Sequence, residues 1–104
     1  MITAQVIDTA LGRTAALVPV LLDYFVAGHG WQEIGQGVTD SEGLVESFGE
    51  PPGAGIYRLT FDVAAYQAEP FFPAIGVTFE VVDVEPDCHL ALLLSPFAYS
   101  VARA

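Results

Sequence analysis

The segment Ile2-Thr3-Ala4-Gln5-Val6-Ile7-Asp8-Thr9 opens the chain with apolar residues at every second position. This alternation is typical of a half-buried β-strand. Similar apolar runs, separated by Gly, Pro and Asp, predict further strands over residues 17–25, 31–36, 44–48, 56–61, 76–82, 89–95 and 97–102. Seven or eight short strands with frequent turn residues predict an all-β sandwich.

One short helical turn interrupts the strands. Asp62 can cap a turn through Ala64, Ala65 and Tyr66, and the prolines of the segment Pro70-Phe71-Phe72-Pro73 end it. The last two long strands are separated by the turn Glu85-Pro86-Asp87. With 104 residues, the chain is expected to form a single domain over residues 1–104. The larger aromatic residues are predicted to fill its core: Trp31, Phe61, Phe71, Phe72 and Phe79.

Charge restricts the partners of the chain. Thirteen acidic residues face three arginines and no lysine, for a net charge of -10. Nucleic-acid binding and attachment to an anionic membrane need a basic surface, and both are therefore excluded. The longest apolar run, residues 15–22, has eight residues, whereas a membrane-spanning helix needs roughly 20. Arg58 is expected to pair with one of the many carboxylates.

The cysteine and histidine counts argue against a disulfide scaffold and a metal centre. Cys88 is the only cysteine, so no intrachain disulfide can form. Two histidines without close ligand spacing predict no metal site, and no cofactor is expected. His29 lies between two glycines and is expected to be solvated. Asp23 interrupts the apolar stretch near the N-terminus, which argues against a signal peptide, and the chain is expected to be cytoplasmic.

Several stretches follow one another in a specific order and spacing: Val6-Ile7-Asp8-Thr9, Val18-Pro19-Val20, Thr39-Asp40 with Gly43, Tyr57-Arg58-Leu59, and Leu92-Leu93-Leu94-Ser95-Pro96-Phe97-Ala98-Tyr99-Ser100. In these stretches the chain resembles the transthyretin-like proteins, and more closely the 5-hydroxyisourate hydrolases, over essentially its whole length. The resemblance implies an eight-stranded Greek-key β-sandwich with one short helix, the transthyretin (prealbumin) fold.

The same resemblance implies an assembly. Members of the family dimerise edge to edge through their final strands, and two dimers pack face to face as a homotetramer with a central channel. In the hydrolases this channel holds the active sites. The large apolar share of this small chain, 53%, independently predicts self-association.

The catalytic residues of the hydrolases are only partly present. Family hydrolases have a histidine where this chain has Gln5, and an arginine where it has Leu44. Family hydrolases end in Tyr-Arg-Gly-Ser, of which this chain keeps only Arg103. They also contain a His-Tyr-His-Val-Pro stretch, of which this chain keeps only the second histidine, His89. The resemblance therefore implies a channel lined by Gln5, Leu44, His89, Ala91, Leu93, Ser100 and Ala102, with Arg103 as a further ligand-binding residue.

These residues support two functional hypotheses. His89 is expected to act as acid–base group, because imidazole titrates near neutrality, with Gln5 orienting a carbonyl or a water. The first hypothesis is an enzyme of hydroxyisourate-hydrolase descent that acts on a small cyclic metabolite. Gln5 accepts no proton at neutral pH and Leu44 carries no charge, so hydrolysis of hydroxyisourate itself is expected to be poor. The second hypothesis is a non-catalytic carrier of an apolar or aromatic small molecule, as in transthyretin.

Three less specific interpretations concern single residues. His89 would be an idle, hydrogen-bonded side chain if no chemistry occurs in the channel. Ser100 would be a nucleophile only within hydrogen-bond reach of His89, and otherwise lines the channel. Cys88 is expected to point away from its neighbour His89, because adjacent side chains on a strand face opposite sides, and to be buried as a small apolar residue.

Overall fold

The computed structural model describes residues 1–83 and 87–104. These residues contain nine strands and one short 3-10 turn, joined by loops. The 3-10 turn, Val63–Ala65, follows the sixth strand. In chain order the strands are β1 (Ile2–Asp8), β2 (Arg13–Thr14), β3 (Pro19–Val26), β4 (Gly30–Val38), β5 (Leu44–Val45), β6 (Gly55–Asp62), β7 (Ala74–Val81), β8 (Cys88–Leu94) and β9 (Tyr99–Arg103).

The strands form two sheets that pack as a sandwich. The five-stranded sheet has the order β2-β1-β8-β9, with β5 pairing with another part of β1. The four-stranded sheet has the order β4-β3-β6-β7. Strands β1 and β8 are parallel, and the other pairs are antiparallel. The predicted all-β sandwich is confirmed; the strand count is nine because the two-residue strand β2 adds to the eight predicted strands.

Side-chain alternation builds the core between the sheets. In β1 the buried and half-buried residues alternate without a break, and β6 buries Tyr57, Leu59 and Phe61 in the same way. On the other sheet from β6, Leu92 and Leu94 of β8 belong to the same core. Burial of apolar area, worth roughly 25 cal/mol per Å², stabilises this arrangement. The other side of each sheet faces outward.

Two sequence predictions about local structure are confirmed. Asp62 caps the 3-10 turn, since its Oδ1 accepts the backbone N–H of Ala65 at 3.3 Å. Arg58 pairs with the buried Asp23 across β6 and β3 at 3.1 Å. The guanidinium of Arg58 also lies 4.3 Å from the ring centre of Trp31, a cation–π distance.

The predicted aromatic core is only partly correct. Phe61 is buried, and Phe72 and Phe79 pack against the core. Phe71, in contrast, is 66% exposed, because it lies in the loop between the 3-10 turn and β7. Trp31 lies half-buried on the outer side of the four-stranded sheet, where it covers Arg58 and contacts Phe25 edge-on.

Some strand boundaries also differ from the prediction. Leu17 has a φ of +64° and is exposed, so β3 begins only at Pro19. The segment between the first two predicted strands also contains a short strand, β2, which pairs with β1. Of the predicted turn Glu85-Pro86-Asp87, only Asp87 lies within the described residues.

The turn before β5 brings Leu44 to β1. Thr39 is buried, and its Oγ1 donates to the carbonyl of Ala15 and accepts from the N–H of Val18. Asp40 Oδ1 accepts the backbone N–H of Leu44 at 3.0 Å. Gly43 has a φ of +74°, the left-handed conformation that favours glycine. Together these contacts fix β5 against β1, with Leu44 opposite Gln5.

Candidate functional site

The outward side of the five-stranded sheet collects nearly all of the candidate residues. Its two central strands are in parallel register, with Thr3 beside His89 and Gln5 beside Ala91. Strand β9 adds Ala102 opposite Ala91, and β5 adds Leu44 opposite Gln5. We call this surface the site face; it carries Thr3, Gln5, Ile7, Leu44, His89, Ala91, Leu93, Ser100 and Ala102. His89 is the only ionisable side chain of this set.

His89 is held by two side chains of β1. The hydroxyl of Thr3 lies 2.7 Å from Nδ1, and Oε1 of Gln5 lies 3.4 Å from Nε2. The amide nitrogen of Gln5 donates in turn to the backbone carbonyl of Glu42 at 3.4 Å. The backbone carbonyl of His89 accepts the N–H of Ala104. His89 is half-buried. Hydrogen bonds at both nitrogens fix the orientation of its imidazole.

Thr3 was missed by the sequence analysis. The signal was present, because Thr3 precedes Gln5 by two residues on one strand and therefore faces the same side. What could not be read from the sequence is the register that brings Thr3 next to His89, 86 positions further along the chain. Among the described residues, His89 is the hydrogen-bond partner of the Thr3 hydroxyl.

Arg103 is a correction to the candidate set. In the antiparallel pairing of β8 with β9 it stands opposite Leu90, not opposite a residue of the site face. Because side chains alternate along a strand, Arg103 points to the other side of the sheet from Ala102. There it lines a small cavity together with Glu80, Val82 and Cys88. The structure thus does not bring Arg103 to His89.

Ser100 is on the site face but distant from His89. It stands opposite Leu93, which lies four residues along β8 from His89. At about 3.3 Å per residue, this separation is roughly 13 Å, well beyond hydrogen-bond reach. Within one subunit Ser100 is therefore not a nucleophile activated by His89, and it remains a hydroxyl on the surface of the site face.

Cys88 and His29 occupy the places predicted for them. Cys88 is a buried free thiol, on the opposite side of β8 from His89, so the two do not form a catalytic pair. His29 is exposed in the turn between β3 and β4. Residues 1–83 and 87–104 contain no group of three or more His, Cys, Asp or Glu that could hold a metal ion. They also contain no helix long and apolar enough to cross a membrane.

A cavity lies on the outer side of the four-stranded sheet. This cavity of about 700 Å³ is lined by Leu21, Val38, Thr60 and two carboxylates, those of Glu33 and Asp62. None of the candidate residues of the site face lines it. It lacks the histidine and the hydrogen-bonded network that distinguish the site face.

A β-sandwich with these two sheets defines the chain as a transthyretin-like protein. The model of the HIUase/Transthyretin family matches residues 2–104, and the chain belongs to this family. Sea bream transthyretin, solved in complex with thyroxine, superimposes with a TM-score of 0.90 at 32% identity, covering 99% of this chain and 93% of that one.

The curated relatives of the chain include proteins named 5-hydroxyisourate hydrolase and one named for uric acid degradation. The 5-hydroxyisourate hydrolase of Halalkalibacterium halodurans is 33% identical over 98% of this chain and 95% of its own length. The bifunctional uric acid degradation protein TTL of Arabidopsis thaliana is 34% identical over 98% of this chain. The chain spans about a third of the Arabidopsis protein, 36% of its length. The sequence-based assignment to the hydroxyisourate hydrolase and transthyretin family is confirmed.

Proposed function

We propose that this chain is a hydrolase of hydroxyisourate-hydrolase descent that opens the ring of a small cyclic amide on the site face. The observation that carries the proposal is the position of His89, which is held at both ring nitrogens by Thr3 and Gln5 on an otherwise uncharged surface. An imidazole with fixed orientation is suited to move protons near neutral pH. Its relatives named 5-hydroxyisourate hydrolase support this class of reaction.

The residues around His89 suggest a substrate different from hydroxyisourate. Gln5 contributes an amide that orients a carbonyl or a water, and Leu44, directly opposite it, contributes only apolar surface. Removal of one donor to a developing oxyanion costs roughly 2.7–4 kcal/mol of barrier. We therefore expect slow turnover of hydroxyisourate and faster turnover of a more apolar ring that does not require an arginine.

We further propose that the site face lines the channel of a cytoplasmic homotetramer. Strand β9 lies at the edge of its sheet, and all five of its residues are exposed in the single chain. Tyr99 and Val101 present apolar side chains there, next to exposed Phe97. An apolar edge strand of this kind favours pairing with a second copy. Sedimentation equilibrium tests this: a monomer at micromolar concentration contradicts the assembly.

The proposed reaction is tested by hydrolysis assays on purified protein. Hydroxyisourate generated in situ and a panel of cyclic ureides and imides are incubated with wild type, with His89→Ala and with buffer. His29→Ala is the matched control, since His29 is exposed in a turn away from the site face. We expect at least one ring to open faster than in buffer with wild type and His29→Ala, and not with His89→Ala. Turnover that survives His89→Ala contradicts the role of His89.

The apolar lining of the site face favours one other function. Leu44 and Ala91 lie on either side of Gln5 across the strands, and Leu93 lies two residues further along β8. Sea bream transthyretin, a structural relative, was solved in complex with thyroxine. A non-catalytic carrier of an apolar or aromatic molecule would use the same surface. Displacement of a bound fluorescent probe by thyroxine tests this function. Tight binding of thyroxine by wild type and by His89→Ala, without turnover of any ring, supports the carrier.

A further inference from the structure

The hydroxyl of Thr3 is hydrogen-bonded to Nδ1 of His89, the ring nitrogen at which His89 would have to accept a proton. Gln5 donates through its amide nitrogen to Glu42, so its oxygen faces Nε2 of His89. An amide oxygen only accepts hydrogen bonds, and Nε2 must therefore carry the proton. In a neutral imidazole the other nitrogen, Nδ1, is then the acceptor, and the Thr3 hydroxyl, 2.7 Å away, donates to it.

This arrangement leaves His89 no free lone pair for a substrate or a water. Nδ1 is covered by Thr3, and Nε2 holds its proton toward Gln5. The hydroxyl of Thr3, in contrast, keeps its own lone pairs, because a hydroxyl donates once and accepts twice. Thr3 is half-buried, and its side chain lies on the site face, the same side of the sheet as His89.

We infer that Thr3 is a catalytic proton relay: the base of the site face is the Thr3–His89 pair, and the hydroxyl is the group that meets the attacking water. This inference rests on the proposed hydrolase function. It adds a residue to that function, and it explains why a histidine with both nitrogens engaged can still serve as the base.

The step balances without a further reactant. The water oxygen bonds to the carbonyl carbon of the ring, its proton passes to Thr3 Oγ1, and the Thr3 proton passes to Nδ1 of His89. The resulting imidazolium donates through Nδ1 to Thr3 and through Nε2 to Gln5, so both partners still fit. When the ring C–N bond breaks, the proton returns through Thr3 to the leaving nitrogen, and the residues regain their starting state.

Thr3→Val and Thr3→Ser form the decisive pair of variants. Valine matches threonine in shape and suits a β-strand but has no hydroxyl, whereas serine keeps the hydroxyl. General acid–base groups contribute typically 10²–10⁴-fold in rate. We expect Thr3→Val to lower kcat at least tenfold with little change in KM, and Thr3→Ser to stay within about threefold of wild type, both variants showing wild-type circular dichroism.

Long-range proton–nitrogen NMR of His89 gives a readout that does not depend on turnover. We expect the Nε2–H tautomer in wild type and in both variants, because the oxygen of Gln5 fixes it, with the Nδ1 resonance shifted only in Thr3→Val, where no hydroxyl donates to that nitrogen. A wild type that is active but unaffected by Thr3→Val overturns the relay and leaves the proposed function standing. An Nδ1–H tautomer in wild type also overturns the relay alone. A wild type that opens no ring overturns the proposed function, and the relay with it.

Discussion

The hydroxyl of Tyr66 donates a hydrogen bond of 2.8 Å to Oδ2 of Asp8, joining the end of the 3-10 turn to the end of β1. Asp8 is buried, and its other oxygen, Oδ1, accepts the backbone N–H groups of Ala10 and Leu11 at 3.0 Å each. A single carboxylate thus closes the turn after β1 and holds the segment that follows β6. Because β1 carries Thr3 and Gln5, this contact also stabilises the strand that orients His89.

Replacement Tyr66→Phe removes this one hydrogen bond and keeps the ring. Hydrogen bonds to charged groups are worth about 1.5–3 kcal/mol, and Asp8 retains two backbone donors. We therefore expect a loss of about 1.5–2 kcal/mol in the free energy of unfolding, measured with urea at neutral pH. Tyr24→Phe is the matched control, because its exposed hydroxyl donates to a neutral carbonyl, that of Ala54. Equal losses in the two variants would show that the charge of Asp8 adds nothing to the hydrogen bond of Tyr66.

The same tyrosine makes the fold sensitive to alkaline pH. Burial raises the pKa of Tyr66 above its ordinary value of 10.0, and the hydrogen bond and negative charge of Asp8 raise it further. The unfolded chain therefore loses this proton at lower pH than the folded one. The stabilisation is complete below pH 10.0 and is lost as pH rises through the folded pKa.

The expected result is a free energy of unfolding that falls above about pH 10, with a slope of up to about 1.4 kcal/mol per pH unit for each such group. Burial also raises the pKa of Tyr57, so Tyr66→Phe should reduce the slope without abolishing it. Urea unfolding between pH 8 and pH 11 measures this. A Tyr66→Phe profile identical to wild type contradicts the linkage.

The family resemblance named Gln5 and His89 as residues of one surface, but it did not indicate which residues touch. The outward positions of both agree with the strand period of two along β1 and β8. The contact of Thr3 with His89 depends on the parallel register of two strands at opposite ends of the chain. No local pattern encodes that register, since it results from the packing of the whole sandwich.

The errors of the sequence analysis have similar physical causes. Arg103 was named as a ligand-binding residue from the family motif, whereas side-chain alternation along β9 places it on the opposite side of the sheet from Ala102 and the site face. Phe71 was assigned to the core from its hydrophobicity, but a residue flanked by prolines in a loop need not reach the core. Hydrophobicity alone therefore identifies core residues reliably only where a regular element directs the side chain inward.

A tight turn sets the position of β5, and its glycine is expected to be sensitive to substitution. A Cβ on Gly43 would lie 2.5 Å from the carbonyl oxygen of Val6 and 3.0 Å from Cβ of Thr14. Gly12 has a similar φ, +68° against +74°, but a Cβ there meets nothing within 4 Å. Gly12→Ala thus isolates the cost of the left-handed backbone, about 1–2 kcal/mol.

We expect Gly43→Ala to destabilise the fold by at least about 2 kcal/mol more than Gly12→Ala, since backbone atoms of β1 must shift to accommodate the methyl group. Thermal unfolding monitored by circular dichroism measures both variants under identical conditions. The difference between them reports the clash of the added methyl group with Val6 and Thr14. If both variants unfold at the same temperature, the turn is free to move away from β1, and the fixed position of Leu44 is contradicted.

Leu44 allows a test of why hydroxyisourate is expected to be a poor substrate. It stands directly opposite Gln5, at a cross-strand distance of about 5 Å between Cβ atoms. An arginine at this position places a cation beside the amide of Gln5 and close to His89. A correctly placed oxyanion donor is worth 10²–10³ in kcat, so we expect Leu44→Arg to accelerate hydroxyisourate hydrolysis at least tenfold over wild type.

Leu44→Met provides the control, because methionine extends the side chain without adding charge. Both variants are expected to remain folded, since Leu44 is half-buried at the sheet surface and a long side chain can extend along it. The acceleration should disappear in Leu44→Arg combined with His89→Ala, since the cation stabilises a charge that only the His89 base can generate. Equal rates for Leu44→Arg and Leu44→Met would mean that the missing cation does not limit the reaction, and the substrate preference would then depend on Gln5.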